Sequence, residues 1–309
     1  MPAQSDNARG ILAMNVAMFA FVVNDSFVKA VSATLPLGEI MLLRGLVATA
    51  GLLLLCRLTG AFAAWRALRD RMLVFRLVGE IGATFFFVAG LTRLPIGNVS
   101  AIFQVTPLAA TAAAALFLGE RVGWRRWTAI LVGFLGVLVI IRPGLTGFDH
   151  SALLILASVG FVVLRDLATS RMPAAIPTFL AALSSSVTIM LFGLCLYPVD
   201  GAISLVGEWR PPRAGEMAML TGAGAGLLAG YVLLTIAMRT GEMGVVAPFR
   251  YALLLWAFLI GVIFFGERPD GFTLLGAAIV VATGLYTVQR ERRRARSADR
   301  EAPAPVRAG

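Results

Sequence analysis

Six ionisable side chains stand inside stretches that are otherwise apolar: Asp25, Arg44, Glu80, Arg165, Asp166 and Arg250. A carboxylate or guanidinium in such surroundings pairs with an opposite charge, carries a proton, or holds a polar ligand. If the stretches lie in hydrocarbon, each isolated charge costs about 2.5–3.5 kcal/mol even on lenient insertion scales, so each asks for a reason. Asp25 and Lys29 are four residues apart, on one face of a helix and within pairing reach. They read either as part of a substrate or coupling-ion site or as a structural pair in which Lys29 extends to the surface. Arg44 is permanently charged and belongs in an interior, where Asp25, Glu39 or a substrate carboxylate meets it. Glu80, well inside its stretch, is the candidate proton carrier together with Asp25, unless it simply pairs with an arginine nearby. Arg250 is the group to meet an anionic or polar ligand, or else to pair with Glu80 or Asp166 for assembly. Arg165 and Asp166 complete the charged set, and Gln104, Tyr231, Tyr251 and Trp256 supply hydrogen bonds and aromatic faces.

The same inventory argues against catalysis. Acyl or phosphoryl transfer needs a positioned base or a metal cluster. The single histidine, His150, has only Asp149 beside it, and Cys56 and Cys195 are isolated in apolar surroundings. No metal site, cofactor or disulfide framework is indicated, and a membrane-embedded transferase is the weaker alternative.

These residues need elements to position them. With 59% hydrophobic and 14% charged residues and a mean hydropathy of +0.85, the 309-residue chain is too apolar for a soluble domain. Ten stretches suit a bilayer crossing: approximately 11–30, 37–56, 73–91, 96–118, 127–141, 151–170, 177–197, 216–238, 244–265 and 271–289. They leave no room for a soluble domain. The first is a retained helix rather than a signal peptide, because Asn24, Asp25 and Lys29 interrupt it without a small-residue cleavage pattern.

The net charge of +10 follows the loops. If the N-terminus is cytoplasmic, the inner segments carry Arg9, Arg57, Arg66, Arg69, Arg71, Arg121, Arg125, Arg126, Arg171, Arg239 and the basic tail, against fewer and scattered outer arginines. This bias places both ends in the cytoplasm. The tail QRERRRARSADR reads as a stop signal and a contact for anionic lipid, not for nucleic acid.

One stretch occurs twice. GNVSAIFQVTPLAATAAAALFLGER, Gly97 to Arg121, is followed 147 residues later by GVVAPFRYALLLWAFLIGVIFFGER, Gly244 to Arg268, with the first Gly and the closing Gly-Glu-Arg in register. Phe161-Val162-Val163 before Arg165-Asp166 likewise echoes Phe21-Val22-Val23 before Asn24-Asp25. Five spans per copy is odd, so the second copy is inserted upside down, as in transporters that alternate access around a midplane site. Arg250, Tyr251 and Leu254 stand where the first copy has Phe103, Gln104 and Pro107, which breaks the symmetry at mid-membrane. Gly222, Gly226 and Gly230 form a groove for a close helix neighbour. The loop PVDGAISLVGEWRPPRAGE reads as irregular because of its prolines.

Residues 10 to 290 resemble the EamA-type drug/metabolite transporter superfamily. The resemblance is carried by the ten spans, the LPIGNVSAIFQVTPL stretch leading to FLGER and its copy leading to FFGER. Asn24-Asp25 to Lys29, Arg44, LRDLATSRMP and PFRY are similar to the branch of S-adenosylmethionine and riboflavin permeases. Members usually keep a proline where Leu254 stands, and Pro248 is the nearest substitute. The resemblance implies an all-α membrane protein of ten transmembrane helices in two inverted five-helix repeats, 11–145 and 146–290, between a cytoplasmic N-terminus (1–10) and a basic cytoplasmic tail (291–309). It implies a secondary active transporter in the bacterial inner membrane, monomeric or homodimeric, that moves a small organic metabolite. Riboflavin-like or nucleoside-like compounds are favoured, the proton is a coupling ion, and export of amino acids, drugs or other metabolites is the alternative. Substrate-binding roles fall on Arg250, Tyr251, Gln104, Arg165, Asp166, Arg44 and Tyr231, and ion coupling on Glu80 and Asp25.

Overall fold

The computed structural model describes residues 2–120, 122–144, 149–173, 175–204, 206–240 and 243–301, with side chains described from residue 6 to 290 except for 243 and 244. Arg121, the proposed junction of the halves at 145–146 and the side chains of the basic tail lie outside the described residues. The described chain is helical: α1 (Pro2–Val31), α2 (Leu37–Leu58), α3 (Arg71–Leu91), α4 (Ile96–Phe103), α5 (Thr106–Phe117), α6 (Trp124–Ile141), α7 (Ala152–Ser170), α8 (Thr178–Cys195), α9 (Tyr197–Ile203), α10 (Ala214–Thr240), α11 (Met243–Val246), α12 (Ala252–Phe265) and α13 (Gly271–Glu301). Ten helical stretches are long and apolar enough to cross a membrane, in the order read from the sequence. The fourth span is α4 plus α5, and the ninth, Ala247–Phe265, is a 3-10 turn, Ala247–Tyr251, that runs on from α11 into α12.

The first span begins earlier than expected, at Asp6 within α1, and two further differences have local reasons. The fifth span begins at Trp124, since extended Gly123 ends the loop there and admits Trp124, Arg125 and Arg126 to the first helical turn. The loop after the seventh span contains α9, because Pro198 falls in its first turn, where a missing N–H leaves no bond unmade.

The ten spans pack in pairs: α1 on α10, α3 on α7, α2 on α8, α6 on α13 and α4 on α12. Exchanging the first five spans for the last five maps this set of pairs onto itself. Glycines set the closest approaches. A Cβ on Gly79 would lie 2.7 Å from the Arg165 amide nitrogen, and one on Gly226, 147 residues later, 3.1 Å from the Ala20 carbonyl oxygen. The groove read at Gly222, Gly226 and Gly230 therefore seats α1, with Phe27 and Phe21 against its two ends.

The repeated Gly-Glu-Arg turns also fold alike. Gly119 and Gly266 are both left-handed, at φ 71° and 64°. The next residue closes the helix each time, Glu120 N–H to the Ala114 carbonyl at 3.3 Å and Glu267 N–H to the Gly261 carbonyl at 2.9 Å. Leu35, Ile40, Met41, Leu91, Ile96 and Ile155 are wholly buried between the two sets of spans, while Leu54, Phe75, Leu135, Ile263 and Phe264 stand out on an apolar exterior suited to lipid.

Candidate functional site

At one end of the bundle, polar contacts tie the first half to the second. Lys29, in the last turn of α1, pairs with Glu267 at 2.8 Å and donates to the Leu94 carbonyl; Glu267 also accepts from the Ile96 N–H at 2.8 Å. The expected Asp25–Lys29 pair is not formed. The long lysine stem carries its charge outward past Asp25 to a carboxylate at the end of α12, and Asp25 accepts instead from the Asn24 amide at 2.8 Å. Asp200, wholly buried, caps the start of α2 by accepting from the Gly38 N–H at 2.8 Å, and it also takes Ser204 at 2.7 Å and the Trp209 indole at 2.6 Å. Arg210 grips Glu216 at 2.5 and 3.0 Å and reaches the Thr34 carbonyl.

Below this closed end lies one connected polar cluster. Arg44, buried on α2, bonds the Asn24 side chain at 3.4 Å and lies within electrostatic reach of Asp25, Tyr231 and Glu80. Glu80 on α3 sits between Arg165 of α7 at 3.5 Å and Arg76 at 3.8 Å. Arg165 turns to Asp166 at 2.8 Å, and Arg76 donates to the Thr169 hydroxyl at 2.5 Å. Tyr231 of α10 feels Glu80, Arg165, Arg76 and Arg44, and its ring meets Phe21 edge-on at 5.6 Å. Arg250, in the 3-10 turn, is close enough to Asp166 and Arg165 for their charges to act on it. Burial runs along the cluster: Asn24, Arg44 and Glu80 are buried, whereas Asp166, Tyr231 and Arg250 are exposed.

Of the residues singled out from sequence, Asp25, Arg44, Glu80, Arg165, Asp166, Tyr231 and Arg250 are thus gathered. Gln104 stands apart from the charges, and Tyr251 lies within electrostatic reach of Arg250 alone. Gln104 caps α4 at the break in the fourth span with its amide nitrogen buried and unbonded. The Tyr251 hydroxyl packs onto Gly284 of α13, 1.6 Å from where a Cβ would be, so it is directed at the tenth span. Sequence reasoning missed the Lys29–Glu267 contact and the Asp200 cap. The register of the two Gly-Glu-Arg turns flagged Glu267 but held no sign of its partner.

The first 142 residues match a known family over 8–142, described as the EamA-like transporter family. A riboflavin transporter of Rhizobium johnstonii is 31% identical over 68% of this chain and 67% of its own length, and one of Vibrio cholerae is 30% identical over 75% and 74%. The chain belongs to the EamA-like transporter family. This EamA-like protein is also 28% identical to a pseudopaline exporter of Pseudomonas aeruginosa, over 88% of this chain and 93% of that one, and 27% identical to an S-adenosylmethionine uptake transporter of Rickettsia conorii, over 66% and 67%. A solved structure covering 92% of the chain, at 18% identity and a TM-score of 0.58, shares the fold. The protein is therefore a multi-pass membrane transporter of the drug/metabolite superfamily, not an enzyme, and its substrate is a small molecule.

Proposed function

We propose that the protein carries a small organic metabolite across the bacterial inner membrane by alternating access, with halves 11–145 and 146–290 rocking about the charged cluster. The observation that carries this reading is the cluster itself: charges from spans 1, 2, 3, 6 and 9, with Tyr231 of span 8, meet between the halves, pinned at the Lys29 end and exposed at the other. Conformations that reverse this asymmetry would pass a ligand across. With both termini cytoplasmic, as the arginine distribution favours, the Lys29 end faces outward and the exposed Asp166 and Arg250 end inward.

Riboflavin-like and nucleoside-like compounds come first as substrates, supported by the names of two relatives at 30% and 31% identity. Export is the second reading, favoured by the pseudopaline exporter's match over 93% of its length. Glu80 and Asp25 are the groups for proton coupling, and the basic tail contacts anionic lipid.

Inner-membrane vesicles of both orientations test the reading with radiolabelled riboflavin, uridine, S-adenosylmethionine and amino acids. Saturable flux of one compound that responds to a pH gradient is expected, and the vesicle orientation with the faster flux gives its direction. Flux equal to that of vesicles lacking the protein for every compound, or terminal tags accessible from opposite faces, would sink it.

A further inference from the structure

We infer that the substrate carries an acid group, a carboxylate or a phosphate, and that Arg250 at the break in the ninth span is its anchor. The inference rests on the reading of the cluster as the transport site and narrows what that site accepts.

The cluster contains four guanidinium groups, and three are engaged. Arg44 bonds Asn24 beside Asp25, Arg76 bonds Thr169 and faces Glu80, and Arg165 is shared between Glu80 and Asp166. Arg250 makes no hydrogen bond and no ion pair among the described residues. Its nearest carboxylate by electrostatic reach, Asp166, is already bonded twice by Arg165, through Nε at 2.9 Å and Nη2 at 2.8 Å. Glu80 and Asp166 are thus ion-paired with Arg76 and Arg165, Arg44 is bonded through Asn24 beside Asp25, and the fourth arginine is left exposed at the far end of the cluster.

Glu80 and Asp166 offer a cationic ligand no comparable vacancy, since Glu80 lies between two arginines and Asp166 is held by Arg165, and Asp25 accepts from the Asn24 amide beside Arg44. A ligand that offers acceptors and negative charge complements what is unmatched here; one that offers only donors does not.

Matched pairs of probes that differ by one acid group test this: riboflavin with riboflavin 5′-phosphate, uridine with uridine 5′-monophosphate, and glutamine with glutamate. Binding is read as ligand-induced stabilisation of the purified full-length protein in detergent. The acid member of one pair should bind at least about tenfold more tightly than its neutral partner, the size of a charge-assisted hydrogen bond. Arg250→Gln should erase that difference and Arg250→Lys retain part of it, with both variants monodisperse and equally abundant in the membrane. Equal or tighter binding by the neutral partner overturns the inference, as does failure of every acid to bind, or an acid preference that survives in Arg250→Gln. Neutral-selective binding accompanied by flux would leave the permease reading standing and remove only the acid group. Acid binding without flux in vesicles would do the reverse.

Discussion

Spans 4 and 9 are two versions of one element, and they agree at the ends while differing in the middle. Both close on a left-handed glycine, Gly119 and Gly266, followed by the same helix-ending bond from Glu120 and Glu267. Both are interrupted, and in each a proline falls in the first turn after the interruption: Pro107 in α5, Pro248 in the 3-10 turn. That is where a residue lacking an N–H fits without loss. The centre diverges: Phe103 packs edge-on against Phe87 at 5.1 Å, while its counterpart Arg250 is exposed beside the charged cluster. The two spans share their closing turn, and a charge stands at the centre of the ninth alone.

The largest predicted asymmetry lies at the closing glutamates. Glu267 bonds Lys29 and the Ile96 N–H, with both charged side chains only 15% exposed, whereas Glu120 is exposed. Glu267→Gln leaves the Lys29 charge without its partner and should cost about 3 kcal/mol in unfolding from mixed micelles. Glu120→Gln should stay within about 0.5 kcal/mol. Equal effects would mean that the turns are alike in role as well as in shape. The same Glu267 variant should also raise labelling of a cysteine placed near Lys29, because the contact it removes ties the halves together.

How much of this was legible depends on the distance over which each feature is decided. The spans follow from local hydropathy and are found in the structure, and the repeat was read from register. The membership of the polar cluster was legible too, because a charge in an apolar span has few places to go. Partnerships were not. Helical spacing put Lys29 within reach of Asp25, but reach does not choose between one partner a turn away and another brought close by packing. Asp200 sits in a proline-rich segment where nothing local announces a helix cap, and its target, the Gly38 N–H, belongs to α2. Nor did the sequence say that a glycine on the tenth span, Gly284, makes room for the Tyr251 hydroxyl.

A middle-sized effect tests the shared joint. Gly119→Ala and Gly266→Ala both force a Cβ into the left-handed region, and no atom lies within 4 Å of either added carbon, so the cost is backbone conformation alone. Each should lose about 1 kcal/mol, and the two losses should match. A loss at Gly266 well above that at Gly119 would show that the second turn bears load from the Lys29–Glu267 contact, and the framework would no longer count as shared.

The smallest effect lies one step beyond the joints, where the copies cap their next helices differently. Asp270 precedes α13 and Gly123 precedes α6, again 147 residues apart. Asp270 accepts from the Thr273 N–H at 2.8 Å and pairs with Arg142, while Gly123 has no side chain to offer. Partial burial works against the Asp270 charge, but the hydrogen bonds from Thr273 and the Arg142 guanidinium outweigh it and hold the carboxyl below its ordinary range. A carboxyl lowered on folding adds stability that is present at neutral pH and lost as the pH falls through its folded-state value. Asp270→Gly should therefore cost less than about 1 kcal/mol at pH 7, because both cap and pair are solvent-screened, and the cost should shrink in acid. Gly123→Asp should gain a few tenths of a kcal/mol at neutral pH, since extended Gly123 already has a cap's backbone and Arg125 and Arg126 follow it. Melting curves of the two variants across the acid range decide the point. A gain at position 123 that mirrors the loss at 270 makes the capping sites interchangeable and the difference between copies one of side chain alone. A loss at 270 that persists unchanged in acid would assign its role to backbone geometry, and the two copies would differ in framework after all.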